Sequence, residues 1–253
     1  MKVSIITATY NSEKTILDTL KSLENQSYKE IEYIVIDGGS TDSTLGIIDE
    51  YLDKITHIVS ESDKGIYDAM NKGLLLATGE VIGILNSDDL YSHNHVISYV
   101  VNHFSSHAEI DMVLGNVDFV APNDLTKVIR FYSSFNFKKW KMRLGFMPAH
   151  PAAFIKKIAY DKVGNYKLGY KIAADYEMFV RMFFVYGLTY TKLNEALVVM
   201  RVGGVSSSGL KSNWVITEEI LRSLKENSVY SNLFIVLLRL PIKFFQQLKT
   251  RIL

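Results

Sequence analysis

Four short apolar runs rich in β-branched residues, each ending in acids, amides or hydroxyls, constrain this chain more than anything else in it. They are residues 3–9 (VSIITAT), 31–36 (IEYIVI), 55–60 (ITHIVS) and 80–85 (EVIGIL). Runs this short and this apolar read as buried strands. Helical patterns lie between them. Over residues 13–26, Ile16, Leu17, Leu20 and Leu23 recur at helical spacing, and Ser12 stands where an N-cap is expected. Further helices are expected from about Ser43 to Asp53 and from Ile66 to Ala77, the latter stopped by Gly79. A βαβαβαβ order with short connections predicts a parallel sheet covered by helices. Ligands on such sheets bind beyond the carboxyl ends of the strands. The polar clusters fall at those ends: Thr9, Tyr10 and Asn11; Asp37 to Asp42; Glu61 to Asp63; Asn86 to Asp89.

The remainder is less regular. Residues 111–120 and 126–132 read as strands, and residues 148–155 as extended because of Pro148 and Pro151. Residues 174–186 read as a helix with Tyr176, Phe179, Val180 and Phe183 on one face, residues 188–200 as strands, residues 203–209 as a Gly- and Ser-rich loop, and residues 213–226 as a helix. No repeat or linker divides the chain, and 253 residues suffice for one α/β domain with a short appendage. A 48% hydrophobic content excludes disorder, and a net charge of +1 gives no global field toward nucleic acid, which is not an expected partner. The absence of cysteine excludes disulfides and thiolate metal sites and agrees with a cytoplasmic location. The apolar run at residues 3–7 is too short for a signal peptide or a spanning helix, so the chain is expected to act on the cytoplasmic side.

Asn86-Ser87-Asp88-Asp89 directly follows a strand. Two adjacent carboxylates repel, and a divalent cation relieves the repulsion; oxygen ligands favour Mg²⁺ or Mn²⁺. The alternative is a solvated turn with Asp88 capping a helix. Asp37-Gly38-Gly39-Ser40-Thr41-Asp42 lets backbone approach a ligand, or serves as a turn with Thr41 or Asp42 as an N-cap. Neither a Gly-x-x-x-x-Gly-Lys phosphate loop nor a Gly-x-Gly-x-x-Gly dinucleotide fingerprint is present.

Taken in order, several segments resemble the family 2 glycosyltransferases. They are Ser4-Ile5-Ile6-Thr7-Ala8-Thr9-Tyr10-Asn11, Gln26-Ser27-Tyr28, residues 35–44 (VIDGGSTDST), residues 63–73 (DKGIYDAMNKG), Ala77-Thr78-Gly79-Glu80 and Leu85-Asn86-Ser87-Asp88-Asp89. The match is dense over residues 1–90 and looser to about residue 205. The stretch from Gly65 to Asn71 resembles the bacterial surface-polysaccharide subgroup, which builds O-antigen, capsule or exopolysaccharide. The resemblance implies a GT-A fold, a mostly parallel central sheet flanked by helices. Residues 1–110 would form the nucleotide-sugar half and residues 111–228 the acceptor half. It implies that Thr9, Tyr10, Asn11, Asp37, Glu61, Asp68, Asn71, Asn86 and Asp88 line the donor site and that Lys72 reaches a phosphate. Asp88 and Asp89 match the DXD-type element, with Asp89 the metal ligand and Asp88 near ribose or metal. Family members often carry a second acid where this chain has Gly38, which shifts base recognition to Asp68 or Glu61. Asp175 matches the position of the general base, although Ala174 replaces a common acid; Glu177 is a weaker candidate. His150 is placed near the acceptor, and Arg201 on a loop that closes over the diphosphate. The reaction implied is inverting transfer of a hexose or N-acetylhexosamine from a UDP-sugar, giving a β-linkage.

Residues 229–253 hold Arg239, Lys243, Lys249 and Arg251 and no acid, around the apolar stretch 233–240. This suits an interfacial helix on the inner face of the cytoplasmic membrane, where an undecaprenyl-diphosphate-linked acceptor would lie. The alternative is a helix packed on the domain. Two other functions compete: a sugar-nucleotide nucleotidyltransferase, which would need a basic Gly-rich loop that residues 7–14 lack, and a non-catalytic saccharide- or membrane-binding module, which would not need both Asp88-Asp89 and Asp175.

Overall fold

The computed structural model describes residues 1–203 and 209–242. The expected alternation is present: β1 (Val3–Thr9), α1 (Ile16–Glu24), β2 (Ile31–Asp37), α2 (Thr44–Asp49), β3 (His57–Ser60), α3 (Ile66–Leu76) and β4 (Val81–Ile84). These four strands pair in parallel. β1 runs from Val3↔Ile31 to Thr9↔Asp37 on β2, β2 from Ile34↔His57 to Asp37↔Ser60 on β3, and β4 flanks β1 from Val3↔Val81 to Ile6↔Ile84. This register sets Thr9, Asp37 and Ser60 side by side at one rim.

Element ends differ from expectation where side chains have other partners. Ser12 does not cap α1: its hydroxyl meets Ser87 Oγ at 2.8 Å, and the helix begins three residues later than expected. α2 stops at Asp49 because Tyr51 and Lys54 donate to residues three back, tightening the chain into turns. Asp88 caps no helix. The chain turns at Asn86 and enters β5 (Asp89–Tyr91), antiparallel to a late strand, and only then α4 (Val96–Ser106). Sequence reading misses α4, although Val96, Ile97, Val100, Val101 and Phe104 are buried at helical spacing.

The second half supplies β6 (Met112–Ala121), β7 (Asp124–Tyr132), β8 (Ala153–Lys156), α5 (Lys157–Val163), α6 (Ala174–Val180), β9 (Tyr190–Arg201), α7 (Gly209–Glu226) and α8 (Leu233–Leu237). The strand order is β3-β2-β1-β4-β8-β6-β9-β5, with β7 on β6. β8 is antiparallel to both β4 and β6, so β6 and β9 run in the direction of β1–β4. The extended segment around the prolines is a short 3-10 turn at His150–Ala152 leading into β8. The helix expected to continue to residue 186 passes instead into a π turn at Arg181–Val185. There the Arg181 guanidinium binds Glu177 and the carbonyls of Val163 and Asn165.

Alternation along the strands divides the core. Ile6, Ala8, Ile34 and Ile36 face α3, α5, α6 and α7; Ile5, Tyr33 and Val35 face α1, α2 and α4. The tail packs on the domain over residues 229–242. Arg239 is 1% exposed and donates to Thr217 Oγ1 (2.8 Å) and Asn213 O (3.2 Å) on α7. That corrects its expected place among lipid-facing cations: burying the guanidinium against α7 docks α8. Leu233, Phe234, Leu238, Leu240 and Ile242 remain exposed on the tail. Lys243, Lys249 and Arg251 lie outside the described residues, and no described helix is long and apolar enough to cross a membrane.

Candidate active site

The rim at the carboxyl ends of β1–β4 collects the polar clusters as expected. Ser12 ties two of its loops together, its N–H donating to Thr44 Oγ1 (2.7 Å) and its hydroxyl meeting Ser87. Asn11, at φ 47, is held in the left-handed region; its Oδ1 accepts from Thr41 N–H and its own N–H donates to Ser40 Oγ. Tyr10 is 62% exposed beside it, leaving an aromatic face open at the rim. Asp37 is fully buried. Its carboxylate accepts from Gly39 N–H (3.1 Å), Ser40 N–H (3.0 Å), Ser40 Oγ (2.5 Å) and Ser60 Oγ (2.6 Å). These contacts are all internal and shape the loop.

Gly38 explains the departure from the family pattern. A Cβ there would lie 2.7 Å from Asp63 Oδ2, so with glycine at residue 38 the Asp63 carboxylate occupies the space that a side chain would take. Asp63 thus stands where a second acid would begin. The two residues expected to replace that acid are engaged elsewhere: Glu61 pairs with Lys72 at 2.8 Å, and Asp68 accepts from Lys64 N–H. Lys72 is therefore already balanced by acids.

Asp88 and Asp89, expected near ribose or metal and as the metal ligand, differ in burial. Asp88 is half-buried and lines an open cavity of about 510 Å³ with Lys14, Asp18, Asn123 and Arg201. Asp89, on the first residue of β5, is fully buried. Burial raises the pKa of both carboxyls, and the neighbouring Asp88 charge raises Asp89 further. Asp89 Oδ1, Asn86 Oδ1 and Thr9 Oγ1 are buried oxygens without a hydrogen-bond partner. The Asn86 and Asp89 oxygens, on one turn beside Asp88, fit a hard cation, for which one or two carboxylates plus ligand phosphates are the usual donor set. Among the described residues no three His, Cys, Asp or Glu side chains gather to hold a metal by themselves. Arg201 lines this cavity while its guanidinium is held on both sides. It donates to Asp88 O (2.7 Å) and pairs with Asp18, bracing the acid loop from β9; residues 204–208, expected to form a closing loop, lie outside the described residues.

Asp175 sits in the first turn of α6, accepting from Tyr176 N–H at 2.7 Å. Tyr67 brings it to the α3 side of the rim: its hydroxyl donates to Ile172 O (2.5 Å) and lies 3.5 Å from Asp175 Oδ1. Burial, aided by the negative charge of Glu219, lifts Asp175 to about 6, against the Tyr176 N–H and the Tyr67 hydroxyl, which lower it. A carboxylate so placed accepts a proton near neutral pH. Glu177 is buried and clamped by Arg181 and Lys167, which removes it from proton transfer. Asn71 and His150 face inward. The Asn71 amide bonds both backbone groups of Tyr166 at 2.8 Å, and His150 Nε2 meets Tyr166 Oη at 2.8 Å. Burial lowers His150 to about 4, so it is neutral at physiological pH. Both hold the Tyr166 loop against α3 and touch no open rim. Sequence reading assigns no site role to Ser12, Asp63, Tyr67, Tyr166 or Glu219, because the residues they meet across the site are remote in the chain.

The comparisons bear on this arrangement. The model of glycosyl transferase family 2 matches residues 4–164. The chain belongs to glycosyl transferase family 2. This family 2 chain is 29% identical over 228 residues to a PGL/p-HBAD biosynthesis glycosyltransferase of Mycobacterium bovis, covering 87% of this chain and 83% of the relative. It is 33% identical over 181 residues to an uncharacterized glycosyltransferase of Mycobacterium tuberculosis, covering 71% and 68%. Among solved structures, S. aureus TarS 1–349 in complex with UDP-GlcNAc superposes with a TM-score of 0.71 at 22% identity, over 88% of this chain and 66% of that one. The match spans only 40% of a longer TarS chain. The mannosyltransferase PcManGT of Pyrobaculum calidifontis, in complex with GDP-Man and Mn²⁺, gives 0.65 at 19% identity over 89% and 63%. These structures share the GT-A fold with this glycosyltransferase.

Proposed function

We propose that this glycosyltransferase moves a hexose or N-acetylhexosamine from a UDP-sugar, with inversion, to a saccharide acceptor on undecaprenyl diphosphate in bacterial surface-polysaccharide assembly. The observation that carries the reading is the acid pair after β4: Asn86 and Asp89 hold buried oxygens without partners, and Asp88 lines a cavity; Asp175, raised to about 6, is the base in this reading. Asp89 and Asp88 would hold Mn²⁺ or Mg²⁺, which would supply positive charge to the diphosphate. Tyr10 stacks on the base, and Asp63 beside Gly38 accepts from its N–H. Asp175 takes the proton of the acceptor hydroxyl as that oxygen bonds to the anomeric carbon; the bond to phosphate breaks, and UDP leaves with the electron pair. Attack opposite the leaving group turns an α-linked donor into a β-linked product.

The tail from residue 229 rests, in this reading, on the inner membrane surface. Its support is the exposed face of Leu233, Phe234 and Leu238, followed in the sequence by Lys243, Lys249 and Arg251. The deciding experiment is a screen of nucleotide sugars with Mn²⁺ or Mg²⁺ against a lipid-linked acceptor mimic. Metal-dependent binding of at least one UDP-sugar and its transfer are expected. Failure of every nucleotide sugar to bind with metal present refutes the reading.

A further inference from the structure

The turn that delivers Asp175 is held from a distant helix. Three consecutive N–H groups, of Lys171, Ile172 and Ala173, converge on the carboxylate of Glu219 in α7, at 2.5, 3.0 and 2.8 Å. Ala173 is the N-cap residue of α6 and has no side chain that can cap. Glu219, 8% exposed, serves that purpose from another element, taking N–H groups that otherwise have no helical partner. From the opposite side Tyr67 on α3 donates to Ile172 O, in the middle of the same tripeptide. α7 is itself fixed, since Thr217, two residues before Glu219, receives the Arg239 guanidinium from the tail.

We propose that Glu219 is a positioning residue for sugar transfer, clamping residues 171–173 so that the Asp175 carboxylate faces the acceptor hydroxyl. This rests on Asp175 being the base. The groups facing Asp175 are Tyr67 from α3, Tyr132 from β7, Tyr166 from the loop before α6, and Glu219 from α7. Burial raises all three phenols, which stay neutral, so Glu219 is the charged neighbour among them. Its negative charge adds to burial in raising Asp175.

The test uses the full chain carrying ¹³C-labelled aspartate. Glu219→Gln is followed by carboxyl NMR titration, by UDP binding with Mn²⁺, and by turnover of a UDP-sugar identified by the donor screen. The Asp175 midpoint should fall below about 6, since a neighbouring charge is gone, and kcat should drop roughly 10- to 100-fold through misplacement of the base. UDP affinity should hold within about twofold, because the base pocket is separate from the donor pocket. A folded variant with unchanged midpoint and unchanged kcat overturns the proposal. If Glu219→Gln does not fold, Glu219→Asp decides: a kept midpoint with reduced kcat supports the clamp, and both unchanged refute it. Asp175→Asn separates the two readings. If it retains turnover, the base assignment fails. If it is inactive while Glu219→Gln is silent in both measurements, only the clamp fails.

Discussion

The half before residue 110 and the half after it place their chemistry by different means. In β1–β3 the rim residues Thr9, Asp37 and Ser60 each end a strand, and in-register parallel pairing aligns them. In the second half Asp175 starts a helix and owes its place to Tyr67, 108 positions earlier, and to Glu219 on α7. Both halves also use buried acids as fasteners. Glu32 takes Lys2 Nζ, Ser4 Oγ and both the N–H and hydroxyl of Thr78; Glu177 takes Arg181 and Lys167. The contrast teaches a way to sort acids here. Fasteners are saturated with donors, whereas Asp88, Asp89 and Asp175 are short of them and are pushed toward the protonated form.

The largest expected effect tests whether the halves are separable. Asp175→Asn should lower kcat by about 10²- to 10⁴-fold while leaving UDP binding intact, and Asp88→Asn should remove divalent-dependent UDP binding. Calorimetry with UDP and Mn²⁺ on each variant checks this; loss of UDP binding in Asp175→Asn would break the division. Next, Glu32→Ala should cost about 1–3 kcal/mol of stability, because the Ser4 hydroxyl and the Thr78 N–H lose a buried acceptor while Lys2 stays half-exposed. Denaturant unfolding measures it, and a near-neutral result would remove Glu32 from the fasteners. Its pKa is held at about 2, below the unfolded value, so this contribution is present above the ordinary glutamate range and fades as pH falls toward 2.

A smaller effect is expected from pH. With Asp175 raised to about 6, the rate should be full above about pH 7, half at about 6, and about tenfold down at pH 5, because only the deprotonated acid accepts a proton. A pH profile of kcat/KM with no acid limb in that window would assign the step to another group. The smallest effect belongs to the tail. Phe234→Ser with Leu238→Ser should reduce binding to anionic vesicles by about tenfold or less while leaving UDP affinity unchanged. Vesicle sedimentation checks it, and equal sedimentation of both proteins would show that this face does not meet lipid.

Much of the first half was legible because its chemistry is local: a strand's end and the loop after it are contiguous, so spacing alone brings Asp37 and Asp88 to one rim. α4 was equally regular and was simply not read. Gly38 was visible as a departure, but that Asp63 fills its place depends on how closely two loops approach. Asn71, Lys72 and His150 carry the right chemistry in the sequence. Their partners are Tyr166, Glu61 and again Tyr166, so each ties one part of the fold to another.

The sequence by itself determined the alternating strands and helices, the parallel order of the first four strands, and the carboxyl-end rim, since period and strand polarity are properties of a local pattern. Only the tertiary structure decided that Asp89 is buried while Asp88 faces the cavity, that Arg201 braces the acid loop, that Arg239 docks the tail, and that Glu219 holds the turn before Asp175. Burial and hydrogen-bond partnership depend on neighbours tens to hundreds of residues away, and these set the proton affinity and direction of a carboxylate.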